Sequence, residues 1–257
     1  MKHEWAVSFD HIAGVYDSTR WSGIPAEVMK SLLNAMKELF AGCRTILDVG
    51  IGTGRFAGYL NNSGFDVVGI DVSLSMMAKA REKGVRNLVQ ADAHYLPFRD
   101  MVFDAAIMVH VLHLVRDWVQ VVGEVGQVTG RVVVAEVEGG EGFSPRSTYL
   151  ELRKEMDYPL DRFNDGEAGL RRAVPPATVK LIGDYWTDID VHEEIDSFDK
   201  RKSSVSWDVP AEVNDRIIQR LHSENPEKTV RRREIVEVVG WDPEQLRNFA
   251  ARERSRT

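Results

Sequence analysis

The chain has 257 residues, 43% hydrophobic and 28% charged, which suits one large domain, or one with a sizeable insertion, and excludes global disorder. A formal net charge of −7 offers no basic face for nucleic-acid phosphates; the one strong basic cluster, Arg231-Arg232-Arg233, sits beside Glu234 and reads as a solvated face. A single cysteine, Cys43, excludes an intrachain disulfide and a cysteine-based zinc site, and reads as a small buried residue.

Along the chain, "MKHEWAVSFDH" lacks the apolar core of a signal peptide, and nowhere do the ~20 apolar residues of a membrane span occur. A cytoplasmic protein is expected. "IPAEVMKSLLNAMKELF" places Val28, Leu32, Met36 and Phe40 four apart, one face of an amphipathic helix with Ser22 as its cap, Pro25 in its first turn and Gly42 at its end. Strand-like and helical runs then alternate. "TILDVG", "DVVGID", "NLVQAD", "FDAAIMV" and "RVVVAEVE" read as five strands. Helices are expected from Arg55 to Asn61, in "SLSMMAKAREK" and in "RDWVQVVGEVGQV". The strands are continuous apolar runs, as in a parallel sheet covered on both faces, and the alternation implies right-handed βαβ units.

After Gly139 the pattern loosens. "RSTYLELRKEM" and "PATVKLIGDYW" read as helices, "DIDVHEEIDSF" as a half-exposed strand, "VPAEVNDRIIQRL" as a helix and "RREIVEVVGW" as a strand. Asp242-Pro243 opens a final charged helix. The stretch also carries Phe143, Tyr149, Tyr158, Phe163, Tyr185, Trp186 and Trp207, residue types that usually fill cores but also hint at an apolar or aromatic small-molecule partner.

"ILDVGIGTGRF" carries the chemistry, and it parses in two ways. Gly52-Thr53-Gly54-Arg55-Phe56-Ala57 satisfies G-x-G-x-x-A, with Asp71 about 20 residues on, as in a dinucleotide site for NAD. The other parse is Asp48-x-Gly50-x-Gly52-x-Gly54. A carboxylate at a strand tip is a poor neighbour for pyrophosphate and a good one for an ammonium group, so S-adenosylmethionine fits the second parse better. Asp71 and Asp92 follow the second and third strands, where they can accept ribose hydroxyls and an adenine amino group. All three acids then sit at carboxyl ends of adjacent strands, the ligand crevice of an open α/β sheet.

"ILDVGIGTGRF", "VVGIDVSLSMMAKARE" and "LVQADAHYLPFRDMVFDAAIMVHVLHLV" resemble successive motifs of the class I S-adenosylmethionine-dependent methyltransferases. The closest likeness is to the small-molecule branch that includes the quinone-biosynthesis C-methyltransferases, whose N-terminal segment the stretch "FDHIAGVYDSTR" also resembles. The likeness runs from about Phe9 to Glu138. It implies a Rossmann-like methyltransferase fold: α/β, doubly wound, with a mostly parallel seven-stranded sheet and a helical insertion or lid after the fifth strand. The expected division is 1–44 as N-terminal lid and helix, 45–139 as cofactor-binding core, 140–187 as helical insertion covering the substrate, and 188–257 completing the sheet.

By the same resemblance, Gly50, Gly52 and Gly54 line the methionine part of the cofactor and Asp48 supports its amino group. Asp71, with Val72 beside it, takes the ribose; Asp92 takes the adenine amino group and the Ala93 backbone NH the ring. His110 lies near the methionine moiety, and Tyr16 and Arg20 close the N-terminal lid. Val128-Thr129-Gly130 stands where the family often has a Lys-Pro-Gly-Gly-like turn.

Methyl transfer is an in-line SN2 displacement leaving S-adenosylhomocysteine, so the protein mainly aligns acceptor and donor. His113 and His110, three apart beyond the fourth strand, are candidate general bases. Equally, they can hydrogen-bond loop backbone; as a metal pair they lack an evident third ligand. The expected function is methyl transfer to a small-molecule acceptor, with nucleic acid an unlikely partner on charge. The alternatives are a protein or RNA methyltransferase, an NAD-dependent dehydrogenase and a non-catalytic cofactor-binding protein.

Overall fold

A computed structural model describes residues 9–10, 13–14, 16–17, 25–159, 166–225 and 227–256. Arg20, Ser22 and Phe163 lie outside the described residues. The elements, in order, are α1 (Ala26–Leu39), β1 (Thr45–Val49), α2 (Arg55–Asn62), β2 (Asp66–Asp71), α3 (Leu74–Glu82), β3 (Leu88–Gln90) and β4 (Phe103–Met108). There follow α4 (Trp118–Val128), β5 (Thr129–Glu141), α5 (Pro145–Glu155), α6 (Gly166–Ala173), β6 (Thr178–Asp190), α7 (Val191–Asp199), α8 (Ala211–Glu224), β7 (Thr229–Trp241) and α9 (Pro243–Arg254).

The seven strands form one sheet in the order β3-β2-β1-β4-β5-β7-β6. The pairings of β1 with β2 and β4, of β2 with β3, and of β4 with β5 are all parallel. This is the expected doubly wound α/β sheet.

By contacts the chain forms two units: Met1–Glu138 with Arg162–Gly183 and Val236–Thr257, and Gly139–Asp161 with Asp184–Ile235. The division falls within the long strands β5, β6 and β7.

In the first unit, the two-residue period of the strands divides the core between the two faces of the sheet. Leu47, Val49, Ala106, Met108, Val133 and Ala135 join one cluster with Val121, Val122 and Val125 of α4 and Leu246 and Phe249 of α9. Ile46, Ala105, Ile107 and Val134 face the opposite cluster, with Leu32 and Met36 of α1, Phe56 and Leu60 of α2, and Met77 and Ala80 of α3. Continuous apolar runs are needed because both sides of each strand are covered.

In the second unit, Tyr149 and Leu152 of α5, Val191, Ile195 and Phe198 of α7, and Ile217 and Leu221 of α8 form a separate cluster. Tyr149 packs on Phe198 with ring centroids 4.8 Å apart, so this aromatic belongs to a core.

Two expected elements are replaced. "PATVKLIGDYW" is not a helix but most of β6, the outermost strand of the sheet, with Val179 and Leu181 exposed and Lys180 and Ile182 half-buried. An edge strand shows both periods weakly, and β-branched Thr178, Val179 and Ile182 favour the pleated form. "DIDVHEEIDSF" is not a strand beyond Asp190. The Asp190 carboxylate accepts the Glu193 NH at 3.0 Å and starts α7, which buries Val191, Ile195 and Phe198 at helical spacing.

Cys43 is half-buried rather than buried, with burial raising its thiol above the ordinary range. The basic run is paired as well as solvated: Arg233 forks onto Asp184 at 2.7 Å and reaches Glu141 at 3.2 Å, and Arg231 lies over Trp186. No helix among the described residues is long and apolar enough to cross a membrane.

Candidate functional site

The strand order reverses at β1, which has β2 on one side and β4 on the other. A doubly wound sheet opens a crevice outside the carboxyl ends of its strands at such a point. The turn after β1 carries three glycines with positive φ, Gly50 at 69°, Gly52 at 54° and Gly54 at 77°. A Cβ on Gly50 would stand 2.8 Å from Val111 Cγ2, so the turn after β1 and the loop after β4 come together only because that atom is missing. Gly54 precedes α2, and its open side faces Ala80 and Val85, giving it a helix-packing role.

Asp48 is buried in β1, and its Oδ2 has no hydrogen-bond partner among the described residues. Burial, and then the negative charge of Asp71, push its carboxyl up to about 8. An uncompensated buried carboxyl is costly, and a cation with N–H donors would relieve it.

Asp71 ends β2 and accepts the Gly52 NH at 2.9 Å through Oδ2 and the Ser73 NH at 2.8 Å through Oδ1. It therefore braces the glycine turn, while burial raises its carboxyl against the lowering effect of those bonds. Val72 is half-buried, and its carbonyl accepts the Gln90 side-chain amide at 3.0 Å. Ala93 packs into the core. Asp92, past β3, accepts the His94 NH at 3.0 Å, and its Oδ1 lies 2.6 Å from the buried His94 Nδ1.

From the N-terminal segment, Tyr16 meets Phe9 edge-on. Next to it, Asp17 accepts the Thr53 hydroxyl at 2.6 Å and pairs with Lys83, pinning the segment to the glycine turn. Burial pushes the Asp17 carboxyl up, but those two partners outweigh it and hold it below the ordinary range.

The two histidines part company. His110 has a left-handed backbone (φ 56°), and its Nε2 lies 3.6 Å from both Glu136 Oε2 and Glu138 Oε1. His113 Nδ1 is 3.6 Å from Glu167 Oε2. Glu167, on α6, is buried and accepts the Val111 and Leu112 NH groups at 2.8 and 3.1 Å, so it fixes the loop that carries both histidines.

Four participants escape sequence reasoning. Glu136 and Glu138 read as ordinary members of the fifth strand, although an E-x-E pair in a strand shares one face by the two-residue period. Glu167 lies 56 residues beyond its Val111 partner and carries no local signal. His94 stands two residues from Asp92, a spacing that could have suggested the bond.

A methyltransferase-domain family profile matches residues 47–131. The chain is 30% identical to demethylmenaquinone methyltransferase of Renibacterium salmoninarum, over 58% of this chain and 65% of that protein. It is 38% identical to a tRNA (carboxymethyluridine(34)-5-O)-methyltransferase of Arabidopsis thaliana, over 41% of this chain and 24% of that protein. The fold is shared with the solved structure of a putative methyltransferase from Bacillus halodurans, with a TM-score of 0.55 at 17% identity, covering 82% of this chain and 98% of that one. The chain thus spans less than two thirds of the length of these two curated relatives.

Sheet order, glycine turn and the profile over residues 47–131 make this part of the chain similar to the methyltransferase domains of class I, the S-adenosylmethionine-dependent class. Within it, the chain resembles the quinone methyltransferases.

Proposed function

We propose that the chain binds S-adenosylmethionine at the β1–β4 switch point and transfers its methyl group to a small-molecule acceptor. The observation that carries this is Asp48, a buried carboxyl with a free oxygen beside three left-handed glycines. A cofactor ammonium supplies the missing charge and donors, whereas a pyrophosphate would add repulsion. Asp48 would hold that ammonium, Asp71 and Val72 the ribose, and Asp92 with Ala93 the adenine, leaving S-adenosylhomocysteine as product. When bound, the cofactor supplies an activated methyl group, so the chain's task is alignment and exclusion of water.

Asp17 keeps Tyr16 near the turn by its bond to Thr53. We assign His113, whose Nδ1 lies 3.6 Å from the buried Glu167 carboxylate, the removal of a proton from the acceptor. The quinone relative favours a small, apolar or aromatic acceptor, and a cytoplasmic setting goes with that reading. The Arabidopsis relative raises a tRNA acceptor, against which the net charge of −7 weighs.

Calorimetric titration with S-adenosylmethionine, S-adenosylhomocysteine and NAD tests the assignment. Micromolar binding of the first two and none of NAD is expected. Binding of NAD alone overturns it.

A further inference from the structure

We propose that His110, Glu136 and Glu138 form a site for a divalent first-row transition ion where the chain leaves β4 beside the neighbouring stretch of β5. Glu136 and Glu138 are two apart in β5, so their carboxylates leave the same face of the strand. His110 follows β4, the parallel neighbour, where Met108 is in register with Ala135. Backbone geometry alone therefore converges one imidazole and two carboxylates.

The three ligand atoms all lie within 4.8 Å of one another, and His110 Nε2 is 3.6 Å from an oxygen of each glutamate. Those two separations exceed hydrogen-bond length. They suit a shared ion, because metal–ligand bonds of about 2.0–2.2 Å at tetrahedral to octahedral angles put ligand atoms roughly 3.0–3.6 Å apart.

Access agrees. The Glu136 side chain is fully buried and that of His110 is 13% exposed, so two ligands are withheld from solvent. The Glu138 side chain is 40% exposed, which leaves an entrance. Arg55, at the start of α2, interacts electrostatically with Glu136. Imidazole with carboxylates suits manganese, iron(II), cobalt or zinc better than a hard all-oxygen ion. Three protein ligands leave coordination positions open, the pattern of a catalytic and not a structural site.

The ion's function rests on the methyltransferase reading. An acceptor hydroxyl in an open position would pass its proton more easily to the imidazole of His113, the base assigned above, and its oxygen would take the methyl group as the S–CH3 bond of the sulfonium breaks, leaving S-adenosylhomocysteine. That selects acceptors bearing a phenol, enol or similar oxygen. Ion binding itself does not depend on that reading.

The test is titration of the purified full chain with Mn2+ alone, following loss of the free-ion electron paramagnetic resonance signal. The wild type should bind one ion with micromolar affinity. Glu138→Gln and Glu136→Gln should each weaken binding about tenfold or more, since even outer-shell changes at metal sites cost 10–100-fold. Calorimetry with S-adenosylhomocysteine on the same samples checks folding: Glu138→Gln, at a partly exposed position, should keep wild-type affinity. No Mn2+ binding below about 1 mM, an affinity of only about −4 kcal/mol, overturns the proposal. So does equal Mn2+ affinity in wild type and both variants, which places the ion elsewhere. Mn2+ binding without any S-adenosylhomocysteine binding would overturn the cofactor assignment and leave the metal site standing.

Discussion

Asp48 and Asp71 oppose each other electrostatically: the charge of Asp71, at the end of β2, adds to burial in raising Asp48 in β1 to about 8. In the folded protein Asp48 therefore keeps its proton between about pH 4 and pH 8, while the unfolded chain has released it. The unfolded state binds fewer protons in that window, so this residue makes stability fall as pH rises through it. A cofactor ammonium reverses the preference and favours the carboxylate. S-adenosylhomocysteine binding at pH 6.5 should thus release up to about one proton. Calorimetry in two buffers of different ionisation enthalpy reads this directly. Asp48→Asn should abolish the Asp48-linked release and weaken affinity by about 1.5–3 kcal/mol, the worth of a charged hydrogen bond. A buffer-independent enthalpy in the wild type would remove Asp48 from the ammonium's contacts.

Gly50 and Val111 join the β1 turn to the β4 loop, and two separate costs meet there. A side chain at φ 69° is strained by roughly 1–2 kcal/mol, and its Cβ would also strike Val111. Gly50→Ala should lower the denaturation midpoint and weaken S-adenosylhomocysteine binding. The double variant with Val111→Ala should recover only part of either loss, because the clash is relieved and the backbone strain is not. Full recovery would show that sterics alone explain the glycine.

Most of the first unit is legible in the sequence because strand, turn and helix signals there agree. Apolar runs, glycine turns and the cap residue Ser73 mark the elements from β1 to α4 within a residue or two. The positions of Asp48, Asp71 and Asp92 towards the ends of their strands are legible without any knowledge of strand order. Legibility fades at β6, where an edge strand lacks the buried face that would fix its period. It fails for Glu167 and for the meeting of His110 with Glu136 and Glu138, because these contacts are made by chain crossing, and no local pattern records a crossing. The i,i+3 spacing suggests that His110 and His113 work together; instead each meets its own carboxylate partners, although their rings still lie edge to face.

His113 and Glu167 should separate chemistry from binding. His113→Ala should reduce turnover with cofactor affinity nearly unchanged, as for a residue acting only on the acceptor; general bases typically contribute 10²–10⁴-fold. Unchanged turnover removes it as base. Glu167→Gln should lower turnover less than His113→Ala, since an amide oxygen can still accept the Val111 and Leu112 NH groups. Glu167→Ala strands both donors and should cost stability of about 1–3 kcal/mol for each buried group, read from urea midpoints. If Glu167→Gln matched His113→Ala in turnover, its charge and not its loop bonds would be the essential property.

Arg153 gives the second unit a polar centre. Its side chain is 1% exposed, donates to the Tyr158 and Val205 carbonyls, and meets the Asp208 carboxylate at 3.2 Å. Burying this guanidinium is tolerable only because each face of it has an acceptor. Arg153→Ala removes the charge together with its packing stem and strands those acceptors, so unfolding should occur about 3–5 kcal/mol more easily. Arg153→Met keeps most of the stem and should cost distinctly less, since apolar packing substitutes for a buried ion pair far better than a void does. Urea titration followed by tryptophan fluorescence compares the two; Trp207, bonded through Nε1 to the Arg201 carbonyl at 2.8 Å, lies in the same unit. Equal losses in the two variants would mean that the hydrogen bonds, and not the filled volume, hold α5 to the loop before α8.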